Sequence, residues 1–443
     1  MGADHTRPAP SAPPRVRRIL VATVVPLFVL TVLAALVLWP RHTPEPERAA
    51  DVPRYHGSVT RVVTEPCPPT PEETPGGPAG PCGTVTVRVG QGPDAGRQVE
   101  TPVPAGPGAP RVEVGDDIVL VELIDPADPA TKTYNIAEHQ RGGPLVWVAA
   151  LFALAIVAFG RWRGLAALAG LAASFAILLG FVLPGIGAGQ SPLLVAIVGS
   201  ALIMFVVLYL THGITAQTSV AVLGTLGSLV LTGLLGSLAT AATHLTGFGS
   251  EDATTLSMFQ GDVDLHGLLL AGIIIGSLGV LDDVTVTQAA TVTELAHANP
   301  GLSRVQLYRA ATRVGRAHIA STVNTIVLAY AGASLPLLLL LVADSRPVGQ
   351  ILTSEFMAQE IVRSAVATIG LIAAVPLTTG LAAVVTTAGR RDTATSDGPG
   401  APAARPAADP DTALAALSTR RGRPSGSVPD GWPDTPGSTQ AGR

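Results

Sequence analysis

The strongest constraint on this chain is a series of apolar runs, each about as long as a helix needs to cross a bilayer, roughly 17–25 residues. Eight are read, at 19–39, 145–160, 165–183, 193–211, 219–240, 265–281, 318–342 and 361–387. Composition agrees: of 443 residues only 14% are charged and 4% aromatic, against about 25% charged in ordinary soluble proteins. Mean hydropathy is +0.44. This balance excludes a soluble globular enzyme, a coiled coil and a nucleic-acid-binding protein. The net charge of −4 says little, because the charges are so unevenly placed.

That placement sets an orientation. Arg7, Arg15, Arg17 and Arg18 precede the first run, and Arg161 and Arg163 separate the second and third. Arg304, Arg309, Arg313 and Arg316 lie between the sixth and seventh, and Arg390 and Arg391 follow the eighth. All fall on one side if both termini are cytoplasmic, as the positive-inside rule requires. The opposite loops lack this excess, and the 243–264 loop is acidic, with Glu251, Asp252, Asp262 and Asp264. The expected localisation is a bacterial plasma membrane. The first run exceeds a signal-peptide core and no small-residue cleavage site follows it directly, so 19–39 reads as an uncleaved signal anchor behind a cytoplasmic segment, 1–18.

Residues 41–143 then form an extracytoplasmic domain. Val85, Val87 and Val89 alternate in Gly83–Val89, and alternation recurs in Arg111–Glu122. Both read as strands of a small β-barrel or sandwich. Cys67 and Cys82, the only cysteines, both fall here, on the oxidising side. They read as a disulfide stapling a Pro-rich loop, with no redox or metal role. Residues 144–388 read as a seven-helix membrane domain. The Pro/Ala/Gly/Ser-rich tail, 389–443, reads as disordered and cytoplasmic.

The richest chemistry lies at the end of the sixth run. Read as a helix, Asp283, Thr287, Thr291 and Glu294 fall at i, i+4, i+8 and i+11, one polar stripe. Carboxylates and hydroxyls in a row suit the passage of a small cation or protons. If the span stops at Leu281, the stripe is instead a solvated cytoplasmic helix. Asp282 and Asp283 at a helix C-terminus would oppose its dipole, which favours a helix running on past them. Asn324 and Thr325, with His318, Ser321 and Thr322, open the seventh run with polar groups that either line the same path or bond neighbouring helices.

Smaller features have packing readings. Gly224, Ser228, Thr232 and Gly236 recur at four-residue intervals, and Gly272 and Gly276 form a GxxxG pair. Glu360 and Arg363 read as an i, i+3 ion pair, and Pro376 as a kink. Asn299-Pro300-Gly301 breaks the chain before a capping box of Ser303 and Gln306. No P-loop, nucleophile elbow, H-E-x-x-H or C-x-x-C motif is present, so neither an enzyme nor a cofactor is expected.

Several ordered segments resemble the YibE/F family of bacterial multi-pass membrane proteins. They are Gly213-Ile-Thr-Ala-Gln-Thr-Ser-Val-Ala-Val-Leu-Gly-Thr225, Gly267-Leu-Leu-Leu-Ala-Gly-Ile-Ile-Ile-Gly-Ser-Leu-Gly279, Asn324-Thr-Ile-Val-Leu-Ala-Tyr-Ala-Gly332, and Glu360-Ile-Val-Arg363 leading to Val375-Pro-Leu-Thr378. Gly115-Asp116 in the outside domain also fits. The likeness covers roughly residues 51–388, and Asp283 matches an acidic position of the family. The resemblance implies a polytopic membrane protein, and no catalytic residue follows from it.

The resulting expectation is an all-α polytopic membrane protein of about eight transmembrane helices with a small extracytoplasmic β domain. Two functions compete. One is a transporter or channel-like permease for a small solute or cation, lined by Asp283, Thr287, Thr291, Glu294, Asn324 and Thr325. The other is a membrane scaffold or sensor whose outside domain binds an envelope partner. The expected partners are the lipid bilayer, a small cation or other solute, and further copies of the chain, but no nucleic acid.

Overall fold

The structure, a computed structural model, describes residues 13–41, 53–65, 82–104, 109–124, 132–249, 251–259, 263–343 and 346–396. The chain divides into two units, Met1–Asp392 and Thr393–Arg443.

The first helix, α1, spans Pro14–Val37. Proline at its first position costs no hydrogen bond, because that N–H would have had no partner. The chain then enters a five-stranded antiparallel sheet: β1 Arg54–Glu65, β2 Cys82–Val89, β3 Gln98–Pro102, β4 Asp117–Ile124 and β5 Lys132–His139. The strand order is β3-β2-β1-β4-β5, and β3 also lies against β5. The two edges therefore meet, and the sheet curls into a barrel with the strand order of the OB type.

Alternation in β2 places Val85, Val87 and Val89 inside, as its sequence requires, with Val59, Ile118, Leu120 and Tyr134 completing the core. The second expected strand starts late. Residues 111–113 are irregular, Gly115 makes a turn with φ +100, and only Asp117 onward pairs. Cys82 opens β2 opposite Glu65, whereas Cys67 lies outside the described residues, and the expected bridge with it.

The helices follow: α2 Gly142–Ile177, a π-helical turn Leu178–Val182, α3 Leu183–Gly187, α4 Pro192–His212, α5 Ala216–Ala242, α6 Glu251–Phe259, α7 Leu265–Ala298, α8 Arg304–Ala333, α9 Leu335–Ala343, α10 Val348–Leu352 and α11 Glu355–Ser396. Among the described residues, six helical stretches are long and apolar enough to cross a membrane: α1, Gly142–Gly187, α4, α5, α7 and α11 through Ala388. The chain is thus a helical membrane-embedded protein with a small antiparallel sheet.

The stretch Gly142–Gly187 is not one straight rod. Arg161 has φ 52 and ψ −128, and a Cβ on Gly164 would clash with the carbonyl oxygen of Ile156. Eight residues apart on a straight helix, those positions would be about 12 Å apart. The chain therefore bends sharply at Arg161, between the second and third expected spans. The seventh expected span is divided between α8 and α9, and neither is among the six.

At the centre, α5 packs on α7, and α4 packs on α7, α2 and α1. The α5 small-residue ladder is buried: Ser228 and Thr232 are wholly enclosed, as are Thr378 and Thr379 of α11. A Cβ on Gly224 would collide with Thr378, and one on Gly370 of α11 with Thr232. Small residues thus let α5 and α11 approach closely. The ladder hydroxyls satisfy themselves by donating back one turn, Ser228 to the Gly224 carbonyl and Thr232 to the Ser228 carbonyl, both at 2.8 Å.

Helix ends follow their sequences. Thr215 caps α5 by accepting from the Thr218 N–H at 3.0 Å, and Ser303 and Gln306 form the expected capping box of α8. α11 is helical straight through Pro376, with Thr379 Oγ1 donating to the Val375 carbonyl at 2.6 Å. The expected ion pair of Arg363 and Glu360 is present at 2.7 Å.

Candidate functional site

α7 is unbroken from Leu265 to Ala298, so its helix continues past Leu281 and carries Asp282 and Asp283 in its interior. Asp264 caps it by accepting from the Gly267 N–H at 2.9 Å. Leu281, Val284, Thr285, Gln288, Ala289 and Val292 form its buried face, against α5 on one side and α8 on another.

Polar groups on that face are paired across helices. Thr285 Oγ1 lies 2.6 Å from Thr225 Oγ1 of α5. Gln288 Nε2 donates to the Ala311 carbonyl of α8 at 2.9 Å, where Gly315 leaves room, since a Cβ there would sit 2.6 Å from Gln288 Oε1. A side-chain amide bonded to a helix carbonyl fixes the crossing of α7 and α8.

Asp282 edges this face and is treated differently. Its Oδ1 is buried and has no hydrogen-bond partner among the described residues. It borders a cavity of about 600 Å³ lined by Arg163, Ala167, Val207, Thr211, His212 and Asp282, thus between α2, α4 and α7. Thr211 Oγ1 donates to the Val207 carbonyl at 2.7 Å and lies 2.7 Å from His212 Nδ1. Among the described residues no ion pair joins Asp282 to Arg163. The cavity therefore presents a carboxylate and a guanidinium from different helices. A buried carboxylate is costly unless a proton, a cation or a donor meets it.

The stripe read from the sequence lies on another face of α7. Asp283 has a side chain 71% exposed and sits 3.9 Å from His318 of α8. Thr287 and Glu294 are exposed, and Thr291 is half-buried, its hydroxyl donating to the Thr287 carbonyl at 2.8 Å. Asn324 and Thr325 of α8 are also exposed, with Thr325 Oγ1 donating to the Ser321 carbonyl at 3.0 Å. The six expected pathway residues thus gather on the outward surfaces of α7 and α8. Sequence reasoning did not single out Asp282, Thr285, Gln288, Arg163 or His212 for the site. Its one usable signal for Asp282 was the costly carboxylate pair itself.

In the barrel, polar residues form local pairs. Glu122 is buried and meets Lys132 at 2.7 Å, and Asp116 lies 3.2 Å from His139. No cluster of three or more metal-ligating side chains occurs among the described residues.

Apolar helices wrapped around a polar seam, joined to one small barrel, define a polytopic helical membrane protein. More narrowly, the chain belongs to the YibE/F-like protein family, whose sequence model matches residues 148–388. That match takes in Asp282, Gln288 and the outward stripe, and leaves α1 and the barrel outside. No curated protein and no solved structure matches the chain.

Proposed function

We propose that this chain is a non-catalytic permease for a small solute or cation, with Asp282 as the group that meets the transported species. The observation that carries this reading is the buried, unpartnered carboxylate oxygen at the edge of the α2/α4/α7 cavity. Asp282 is 17 residues into α7, roughly 25 Å along its axis, close to the inner boundary of a hydrocarbon core about 30 Å thick. Arg163 reaches the cavity from just past the Arg161 bend of α2, and His212 from the C-terminus of α4; both are expected on the cytoplasmic side. The cavity would then be the inner mouth of the path.

The count of eight spans is part of the same proposal. It takes Gly142–Gly187 as two crossings that meet at Arg161, and α8 with α9 as one. Both termini are then cytoplasmic, and the barrel lies outside the plasma membrane.

The test is uptake into proteoliposomes containing the purified full-length protein, against a panel of labelled monovalent and divalent cations and small organic solutes. At least one is expected to enter faster than into protein-free liposomes. Equal rates for the whole panel would contradict the permease reading and favour the scaffold or sensor.

A further inference from the structure

We propose that the α2/α4/α7 cavity takes a small organic zwitterion, its ammonium group held by Asp282 and its carboxylate by Arg163. The inference rests on the reading of Asp282 as the group that meets the solute, and narrows that solute to one chemical class. The cavity holds about 600 Å³, and Arg163, Ala167, Val207, Thr211 and His212 line it together with Asp282. That volume falls in the range of small-molecule sites, roughly 300–1,000 Å³. An ion with about six waters would fill only about 200 Å³, at roughly 30 Å³ for each water.

Each polar group of the wall has a defined demand. Asp282 Oδ1 is buried with no hydrogen-bond partner among the described residues, and an ionised carboxylate only accepts. It therefore calls for a donor, and a charged N–H makes the strongest bond to it. Thr211 has one hydroxyl proton and gives it to the Val207 carbonyl at 2.7 Å. The 2.7 Å contact between Thr211 Oγ1 and His212 Nδ1 must then carry the imidazole's proton. In its neutral form that tautomer keeps Nε2 as an acceptor, so His212 adds no second positive charge to the wall. Arg163 makes the opposite demand. Its guanidinium only donates, stays charged, and matches a carboxylate through two parallel bonds.

Solutes of one charge fit this wall badly. An inorganic cation drawn to Asp282 meets the positive charge of Arg163 in the same cavity, and an anion drawn to Arg163 meets the carboxylate. Among the described residues no ion pair joins the two, so neither charge cancels the other. Divalent cations also want about six or more oxygen ligands, and no cluster of three or more metal-ligating side chains occurs among the described residues. Ala167 and Val207 add apolar wall, which suits a short hydrocarbon frame. A molecule with an amine and a carboxylate on such a frame satisfies the acid, the guanidinium and the apolar wall together.

The experiment measures equilibrium binding of labelled L-alanine, β-alanine and γ-aminobutyrate to the purified full-length protein in detergent. At least one is expected to bind. The same unlabelled zwitterion should displace it at least tenfold more readily than its singly charged relatives, ethylamine, propylamine, propionate and butyrate. Arg163→Gln should let the amines compete as well as the zwitterion, and Asp282→Asn should do so for the carboxylates. Asp283→Asn, one residue along on the outer face, should keep the native preference. Opposite changes of selectivity cannot come from misfolding, which would abolish all binding alike. No binding of any of the three, equal displacement by the singly charged relatives, or an unchanged preference in either folded cavity variant would overturn the proposal. The permease reading is judged separately. A zwitterion that binds but never enters proteoliposomes would contradict that reading alone, and entry of an inorganic cation with no zwitterion bound would contradict this one alone.

Discussion

Asp282 and Asp283 are consecutive residues of α7, yet they face different surroundings. Asp282 borders the α2/α4/α7 cavity with Oδ1 buried and unpartnered, whereas Asp283 is 71% exposed beside His318 at 3.9 Å. The cause is elementary: successive helical residues are turned by about 100°. One step along the chain moves a carboxylate from the bundle's interior seam to its outer face.

Close packing of α5 on α11 gives the first prediction. Gly→Ala inside a helix ordinarily stabilises by about 1 kcal/mol. At Gly224 the new methyl would strike Thr378, and overpacking costs roughly 1–3 kcal/mol. The Tm of Gly224→Ala in detergent should fall, and adding Thr378→Ala should recover most of the loss. A raised Tm for the single variant would contradict this packing.

The barrel supplies a pH dependence. Asp94, in the turn between β2 and β3, accepts from the Tyr134 hydroxyl at 2.6 Å. That bond is the main cause holding its carboxyl below the usual 3.8, with Arg97 assisting and burial acting the other way. Its contribution is therefore present above pH 3.8 and is lost as pH falls through the lower folded value. Tyr134→Phe removes the main cause. The variant should be less resistant to protease at neutral pH and lose less further resistance on acidification from about pH 5 to 2. Parallel acid profiles for the two proteins would sink the assignment.

Cys67 and Cys82 should be bridged in protein purified without reductant. A disulfide closing a loop of this size is worth about 3 kcal/mol, so reduction should lower the barrel's resistance to protease. Two titratable thiols in the folded protein would refute the bridge.

Orientation is tested by reporters fused after Arg141 and after Arg391, which should report opposite sides of the membrane. An epitope ahead of Arg15 should remain on the mature chain, because α1 is built into the bundle: Val24 joins the main core, and Phe28 meets Phe205 edge-on at 5.3 Å. Same-side reporters, or loss of the epitope, would contradict the eight-span arrangement.

Much of this architecture was readable from the residues. The alternation of Val85, Val87 and Val89 gave β2, the Ser303–Gln306 box gave the start of α8, and the four-residue ladder from Gly224 gave a packed face. In each case the spacing is fixed by local geometry. The direction of α7's faces was not readable. In a soluble helix the apolar face is the inner one. In a membrane both the core and the lipid are apolar, so the pattern of Asp283, Thr287 and Thr291 marks a stripe without saying which way it points. Burial of Thr285 and Gln288 depends on Thr225 and Ala311, 60 and 23 residues away, a tertiary fact that periodicity does not contain. The start of β4 was hidden for another reason: Val112 and Val114 alternate as a strand would, but Gly115 turns the chain before pairing begins.

The most direct measurement compares Asp282→Asn with Asp283→Asn at equal expression, once a transported species is identified in proteoliposomes. Each change removes one charge and keeps the side chain's shape, and neither raises the cost of membrane insertion. Asp282→Asn should lower flux about tenfold or more, equivalent to at least about 1.4 kcal/mol at the rate-limiting step. Asp283→Asn should retain most of it. Undiminished flux in Asp282→Asn would remove the α2/α4/α7 cavity from the path and contradict the account.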